Sequence, residues 1–475
     1  MPFSSFTFAF VFLPIAVTGY FLLRRTGNTH APKLWLLGLS LIFVSSSGTK
    51  SIEVLVASLT VNFIIARRLA QQRGFLGLAP RSLLIVGITA NVLLLCYFKY
   101  AGFFVHAFNQ AFGTTFQVPV SSFPLGISFF TIYQIILLVQ TYEEPLEQHN
   151  WLDHFVFGGL FLYVTMGPIV SWKQIAPQLN DRRRWHADPD NIARGVFLFV
   201  IGFFKKVVLA DTFFRWADAG FSYGHPLSLV GSWIAALAFA FQLYFDFSGY
   251  TDMAIGAGLM FNLELPQNFN APYRAKSVIE FWRRWHITLS DFITTYLYMP
   301  SIRSMAKITF AKGMVVTFLV MVIAGLWHGP NWTFIAFGAL HGAALVVNQV
   351  GRKMKWSLPV PLAWLVTFIF VVIAFVFFRS ANLLQAVQIV GSMFSMHGGL
   401  FSYEPWTGID RVEQVTGAGW MLLGIFALWR APSSMQLQRT FRPSWAAVAL
   451  TVALIALACV YTNGVVSRSF VYNEF

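Results

Sequence analysis

Residues 313–341 read Gly313-Met-Val-Val-Thr-Phe-Leu-Val-Met-Val-Ile-Ala-Gly-Leu-Trp327, then His328-Gly329-Pro330-Asn331, then Trp332-Thr-Phe-Ile-Ala-Phe-Gly-Ala-Leu-His341. The first run, 313–327, carries no ionisable side chain, and the second continues apolar to 348 with His341 alone inside it. Between them, Gly329 and Pro330 interrupt a helix. Two apolar runs, the first somewhat shorter than the ~20 residues that cross hydrocarbon, therefore meet at an imidazole. That pattern predicts two membrane segments with His328 at the tip of one of them.

The same alternation extends outward in both directions. Further apolar runs occupy 6–23, 34–48, 51–66, 82–98, 123–140, 154–170, 192–210, 229–245, 361–378, 416–429 and 445–461. Some are too short to span, so the expectation is an all-α, polytopic transmembrane bundle of about 10–13 membrane helices, a few short or re-entrant. Composition agrees. Hydrophobic residues make up 57% and charged residues only 11%, whereas soluble domains carry about 25% charged residues. The 51 Phe suit the hydrocarbon, and the 16 Trp and 15 Tyr suit its two interfaces.

The net charge of +14 does not imply nucleic acid. Its basic residues cluster between apolar runs, at Arg67, Arg68, Arg73 and Arg81, at Arg182–Arg184, at Arg274, Lys276, Arg283 and Arg284, at Arg303, Lys307 and Lys312, and at Arg352, Lys353 and Lys355. Short basic loops mark the cytoplasmic side, and anionic headgroups are partner enough for them. Arg24 and Arg25 follow the first run rather than precede it, as expected of a retained span with its N-terminus outside. Stretches 100–122 and 381–415 hold one basic residue, Arg411, and are expected as external loops. Lys205 and Lys206 break the scheme unless they lie inside the bundle or on a tilted helix. With no repeat, linker or soluble appendage, 1–475 is expected as a single membrane domain. Cys96 and Cys459 sit in apolar runs as inert thiols.

Chemistry concentrates in 241–342. This region begins Phe241-Gln-Leu-Tyr-Phe-Asp-Phe-Ser-Gly-Tyr-Thr-Asp252 and continues through Phe281-Trp-Arg-Arg-Trp-His-Ile-Thr-Leu-Ser-Asp291 to the break at His328. Ionisable groups at membrane depth are costly unless paired or wet, so they are functional candidates. His328, lining a polar void at a helix break, could take a proton from a hydroxyl; it could equally tie down a helix end. Phe281, Trp282, Trp285 and Leu289 share one helical face with Arg283, Arg284 and His286 elsewhere, which predicts an amphipathic interfacial helix. There His286 is a second site candidate or a headgroup contact. Asp246 and Asp252 flank Ser248-Gly249-Tyr250, a broken-helix pattern, and would pair with Arg283 or Arg284 or orient a histidine. His341 would support His328 or simply pack; Trp327, Trp285 and Asn331 belong to the same blocks. His397 and the other histidines are assigned nothing. No phosphate-binding loop, zinc motif or serine-hydrolase elbow occurs. An enzyme is expected, with a transporter or polysaccharide-export channel as the alternative class.

Three blocks resemble the membrane-bound O-acyltransferase family in its bacterial, alginate O-acetyltransferase-like branch: Tyr244–Asp252, Phe281–His286 and Gly325–Gly329. Phe3–Pro14, Met166–Val170 and Phe470-Val471-Tyr472 extend the likeness along most of the chain, with Ser171 where many relatives carry Arg and a polar end at Asn473-Glu474-Phe475. The resemblance implies His328 as catalytic histidine, His286 as the second one of the active-site region, and a central funnel and tunnel joining a cytosolic acyl donor to an acceptor from the opposite side. It further implies an inner-membrane enzyme using acetyl-CoA as donor substrate, with no bound cofactor or metal. Periplasmic acetyltransferase subunits of the SGNH-hydrolase-like type would then act on an exported polysaccharide, or on peptidoglycan or a teichoic acid.

Overall fold

Long apolar stretches that satisfy every backbone group internally can only be helices or a closed barrel, and here they are helices. A computed structural model describes residues 3–462 and 470, apart from 47, 76, 119–122, 147, 148, 397, 403 and 410. His397 and 471–475 thus lie outside the described residues. Among those described, extended pairing is confined to one bridge, Phe75 to Leu78. Phe8–Arg25, Pro80–Phe112, Leu229–Met260, Phe310–His328, Trp332–Lys353 and Val360–Arg379 are long and apolar enough to cross a membrane. Shorter apolar helices such as Ala31–Ser45 and Leu383–Met393 accompany them. Exposed Ile42, Leu93, Phe112, Leu319 and Val366 present hydrocarbon outward, a surface that suits lipid and not water.

Contacts group the chain into two compact units. The first comprises Met1–Phe199, Thr251–Pro266 and Arg442–Ser444. Several of its buried polar groups are paired across helices. Lys33 meets Asp153 at 2.5 Å, and the amides of Asn62 and Asn91 exchange hydrogen bonds of 2.7 and 3.1 Å. The run expected at 154–170 is helical only in Trp151–Gly159, after which buried, irregular backbone leads to Ser171. Gly158, Gly159, Gly167 and Pro168 disfavour a continuous helix there. The freed backbone is served from within the protein: Phe161 N–H donates to Ser40 Oγ at 3.0 Å and Tyr133 Oη–H to Tyr163 O at 2.8 Å. Ser171 opens the next helix, Trp172–Asn180, its N–H donating to Gln174 Oε1. The loop expected at 100–122 begins instead as helix, because Pro80–Phe112 runs unbroken until Gly113 turns left-handed at φ 66°.

The second unit comprises Val200–Tyr250, Gln267–Phe441 and Trp445–Phe475. The Leu229–Met260 helix passes straight through Ser248-Gly249-Tyr250, where the sequence pattern predicts a break. Gly249 serves proximity instead: a Cβ there would sit 2.7 Å from Gly202 O and 3.1 Å from Lys206 N. The expected external stretch 381–415 contains the Leu383–Met393 helix. Phe310–His328 and Trp332–Lys353 form a tight hairpin in which a Cβ on Gly338 would lie 2.4 Å from Met321 O and 3.0 Å from Gly325 Cα. Small residues at such crossings let membrane helices approach closely, and this crossing sets where His328 ends up. Gly338→Ala gains about 1 kcal/mol in helix propensity but is overpacked by about 1–3 kcal/mol. Its thermal midpoint in detergent is therefore expected below wild type. Gly391→Ala, with nothing within 4 Å of the added methyl, should be unchanged or more stable, and a Gly338→Ala midpoint at or above wild type would contradict the close crossing.

Candidate active site

The candidate site belongs wholly to the second unit. The segment predicted as one amphipathic helix is two short helices, Val278–Trp282 and Ile287–Phe292. Between them His286 adopts φ 43° and ψ 54°, a left-handed conformation that costs a non-glycine residue about 1–3 kcal/mol and persists where the surroundings enforce it. Enforcement comes from residues 268–270, which run alongside: Ile287 N–H donates to Asn268 O at 3.0 Å, and Asn270 N–H to Arg284 O at 2.9 Å. Helical periodicity does put Phe281, Trp282, Trp285 and Leu289 inside. The left-handed residue, however, turns His286 inward as well, to 0% exposure. It is a core imidazole, not a headgroup contact.

Asn268 holds that imidazole. Its Oδ1 accepts from His286 Nδ1 at 3.1 Å, from Thr288 N–H at 3.2 Å and from Thr288 Oγ1–H at 2.9 Å. On its other side the ring meets Phe247 edge-on at 4.7 Å. His286 Nε2 and Asn268 Nδ2 are buried without a hydrogen-bond partner among the described residues. Buried polar atoms rarely lack a partner, so this pair is a candidate to meet a polar group of a substrate.

His328 is the last residue of the Phe310–His328 helix, with Gly329 extended and Asn331 capping the next helix through Thr333 N–H at 3.1 Å. The break lies where the sequence puts it. The expected surroundings were polar; the ring neighbours are aromatic, with Phe378 at 5.1 Å, Phe337 at 5.9 Å and Phe334 at 6.4 Å. Trp327 joins the two imidazoles, its ring 5.1 Å from His328 and 6.3 Å from His286. His341 flanks this group by packing on Phe337 at 4.6 Å and accepting a 3.2 Å hydrogen bond at Nδ1 from Trp282 Nε1–H. Trp285 stacks on Phe281 and packs against Phe375 behind them. Asn331 acts structurally, its Nδ2 also donating to Ala381 O at 2.9 Å.

The carboxylates do otherwise than expected. Asp246 pairs with neither arginine but with Lys206, at 2.7 Å, and Lys206 also meets Asp211 at 2.9 Å. Lys206 sits in a π-helical turn, Lys205–Ala210, the close approach at Gly249 bringing it beneath Asp246. This is the interior position that the charge pattern required. Arg284 pairs with Glu280 at 2.8 Å, one turn away, and Arg283 is exposed. Asp252 is buried too, in the first unit. Sequence reasoning missed Lys206 as the partner of Asp246, although its odd place in the charge pattern pointed to it. Asn268 had no such signal.

Removing one partner of a buried ion pair costs about 3–5 kcal/mol, because the other charge stays buried. Asp246→Asn is expected to lower the thermal midpoint steeply, and Lys206→Met/Asp246→Leu to be milder than either single change. Equal or additive losses would mean that the pair is not the cause.

Comparison with known proteins places the chain among relatives. The model of the membrane-bound O-acyltransferase family matches residues 69–387. The chain is 40% identical to a peptidoglycan O-acetyltransferase of Helicobacter pylori, over 83% of this chain and 80% of the relative. To a probable alginate O-acetylase of Pseudomonas aeruginosa it is 38% identical, over 83% and 75%. A teichoic acid D-alanyltransferase of Bacillus subtilis is 26% identical over 54% of this chain and 68% of its own.

Proposed function

The chain belongs to the membrane-bound O-acyltransferase family, and from that premise we propose that it transfers an acetyl group from acetyl-CoA on the cytosolic side toward hydroxyls of a cell-envelope glycan outside. It is a multi-pass membrane acyltransferase. Its placement in the cytoplasmic membrane with the N-terminus outside rests on the basic clusters between spans. The two more similar relatives named above share acetyl and a glycan, one being a peptidoglycan enzyme and the other an alginate enzyme. The peptidoglycan relative makes that polymer an acceptor to be weighed equally with an exported polysaccharide.

The observation that carries the reading is the pairing of two buried imidazoles, His286 and His328, about one indole ring. Acyl transfer from a thioester needs one group to take the hydroxyl proton and return it to the leaving sulfur. His328 is the proposed base. The hydroxyl oxygen bonds to the acetyl carbon as its proton passes to the imidazole; the carbon–sulfur bond then breaks, and the proton passes to the thiolate. Such a step contributes typically about 10²–10⁴ in rate. A funnel and tunnel through the bundle would let donor and acceptor meet there, and SGNH-like periplasmic subunits would work alongside it on the polymer.

His328→Ala is expected to insert and melt as wild type does while losing acetyl transfer by at least about 10². The check is base-released acetate from a deletion strain carrying each variant, measured separately on peptidoglycan and on exported polysaccharide. The polymer that loses acetate is the acceptor. Wild-type acetate on both polymers in the His328→Ala strain would refute the mechanism.

A further inference from the structure

His286 has two nitrogens, and the fold settles which one carries hydrogen. A backbone N–H can only donate, so the Asn268 atom facing Thr288 N–H must be the amide oxygen. An amide oxygen only accepts. The His286 Nδ1 that meets this same oxygen at 3.1 Å must therefore donate. In the neutral ring that leaves Nε2 as a bare lone pair, buried and without a partner among the described residues.

We infer that Asn268 is a positioning residue that fixes His286 as a hydrogen-bond acceptor toward the acceptor substrate's hydroxyls. The inference rests on the reading of this centre as an acyl-transfer site and specifies who meets whom within it. The reacting atoms of a thioester, its carbonyl oxygen and its sulfur, have no hydrogen to give. A hydroxyl does. A neutral His286 thus cannot donate to the oxyanion; it engages the alcohol. A glycan carries several hydroxyls beside the one that attacks, so it can offer one to each imidazole. Two further features agree. Both Asn268 and His286 are 0% exposed, so the hydrogen bond between them is made away from bulk solvent. The left-handed turn at His286 and the backbone bonds at Ile287 and Asn270 hold ring and amide in register.

The groups around the ring make the acceptor state testable by pH. Asn268, Thr288, Phe247 and Trp327 face it and none is charged. The nearest charged residues along these elements are turned elsewhere: Asp246 to Lys206, Arg284 to Glu280, and Arg283 and Asp291 to the exterior. A carboxylate at position 268 would keep an acceptor for Thr288 and nearly the same shape. It would also stabilise the doubly protonated ring, whose Nε2 is a donor. An opposite charge at that distance raises a pKa by about one to three units. Activity needs the unprotonated Nε2, so its acid limb should move up by about that amount, with full activity above it.

The experiment uses inside-out membrane vesicles holding the full chain and the host's glycan, supplied with radiolabelled acetyl-CoA, with label counted in base-labile ester across pH. For N268D the expected result is near-wild-type transfer at neutral and high pH, with the acid limb displaced upward by about one to three units. A second variant removes dependence on the pH argument. Asn268→Ala should lose activity, and replacing His286 by Nδ1-methylhistidine in that background should restore it, since the methyl group imposes the same tautomer covalently. A pH profile for N268D that superimposes on wild type, or loss at every pH in a protein that melts normally, overturns the inference. His328→Ala in the same vesicles separates the two levels: if it stays active, the acyl-transfer centre itself is misplaced, whereas if it is dead and N268D is unshifted, only the role of Asn268 falls.

Discussion

Desolvation governs this structure. A helix bundle facing lipid has no water with which to satisfy a buried polar atom, and each unmet donor or acceptor costs free energy on the scale of a lost hydrogen bond or more. Most of the polar groups inside obey. Lys33 has Asp153, Asn62 has Asn91, and Lys206 has both Asp211 and Asp246. Even the irregular backbone after Gly159 is met by Ser40 and Tyr133. Some buried atoms lack a partner among the described residues, the Gln134 amide in the first unit for one, and in the second unit the nitrogens of His286, Asn268 and His341 are such atoms around the aromatic group that holds His328.

Backbone geometry serves the same end. A left-handed histidine is a strained residue, and the segment 268–270 lies along the turn that contains it, bonded at Ile287 and Asn270. An indole beyond the turn and an edge-on phenyl ring from the Leu229–Met260 helix close the other sides. The glycine crossing between Gly325 and Gly338 then fixes the height at which His328 arrives. Rigid secondary structure and backbone bonds, rather than a mobile loop, carry both imidazoles.

Much of this was legible. The apolar runs give the helical bundle, because a segment of that length without charge has nowhere else to go, and Gly329-Pro330 marks the end of the helix at His328. Periodicity correctly buries Phe281, Trp282, Trp285 and Leu289. It fails one residue later, since a pattern of 3.6 assumes continuous right-handed helix and cannot register the φ of 43° that turns His286 inward. Gly249 was misread for a related reason: glycine can break a helix or let another backbone approach, and only the neighbouring Gly202 and Lys206 distinguish the two. The pairing of Asp246 with Lys206 depends on the π-helical turn, which the sequence does not announce. Asn268 lies in a polar stretch with no periodicity at all, and its role comes entirely from contacts made across the fold.

These contacts also explain why a neutral amide, rather than a carboxylate, sits behind His286. In hydrolases that work in water, an acid behind the histidine stabilises the imidazolium that forms when a hydroxyl is deprotonated. Here an acid would have to be buried at 0% exposure with no cation beside it, and the unfavourable desolvation of an isolated carboxylate argues against that. The only buried carboxylate on the neighbouring stretch of helix within the same unit, Asp246, is already matched to a lysine. An amide oxygen orients the ring just as firmly while leaving it uncharged. The cost is a histidine that is well placed to receive a hydrogen bond and poorly placed to hold a full proton, and the proposed division of labour, proton removal at His328 and orientation of the alcohol at His286, rests on that asymmetry.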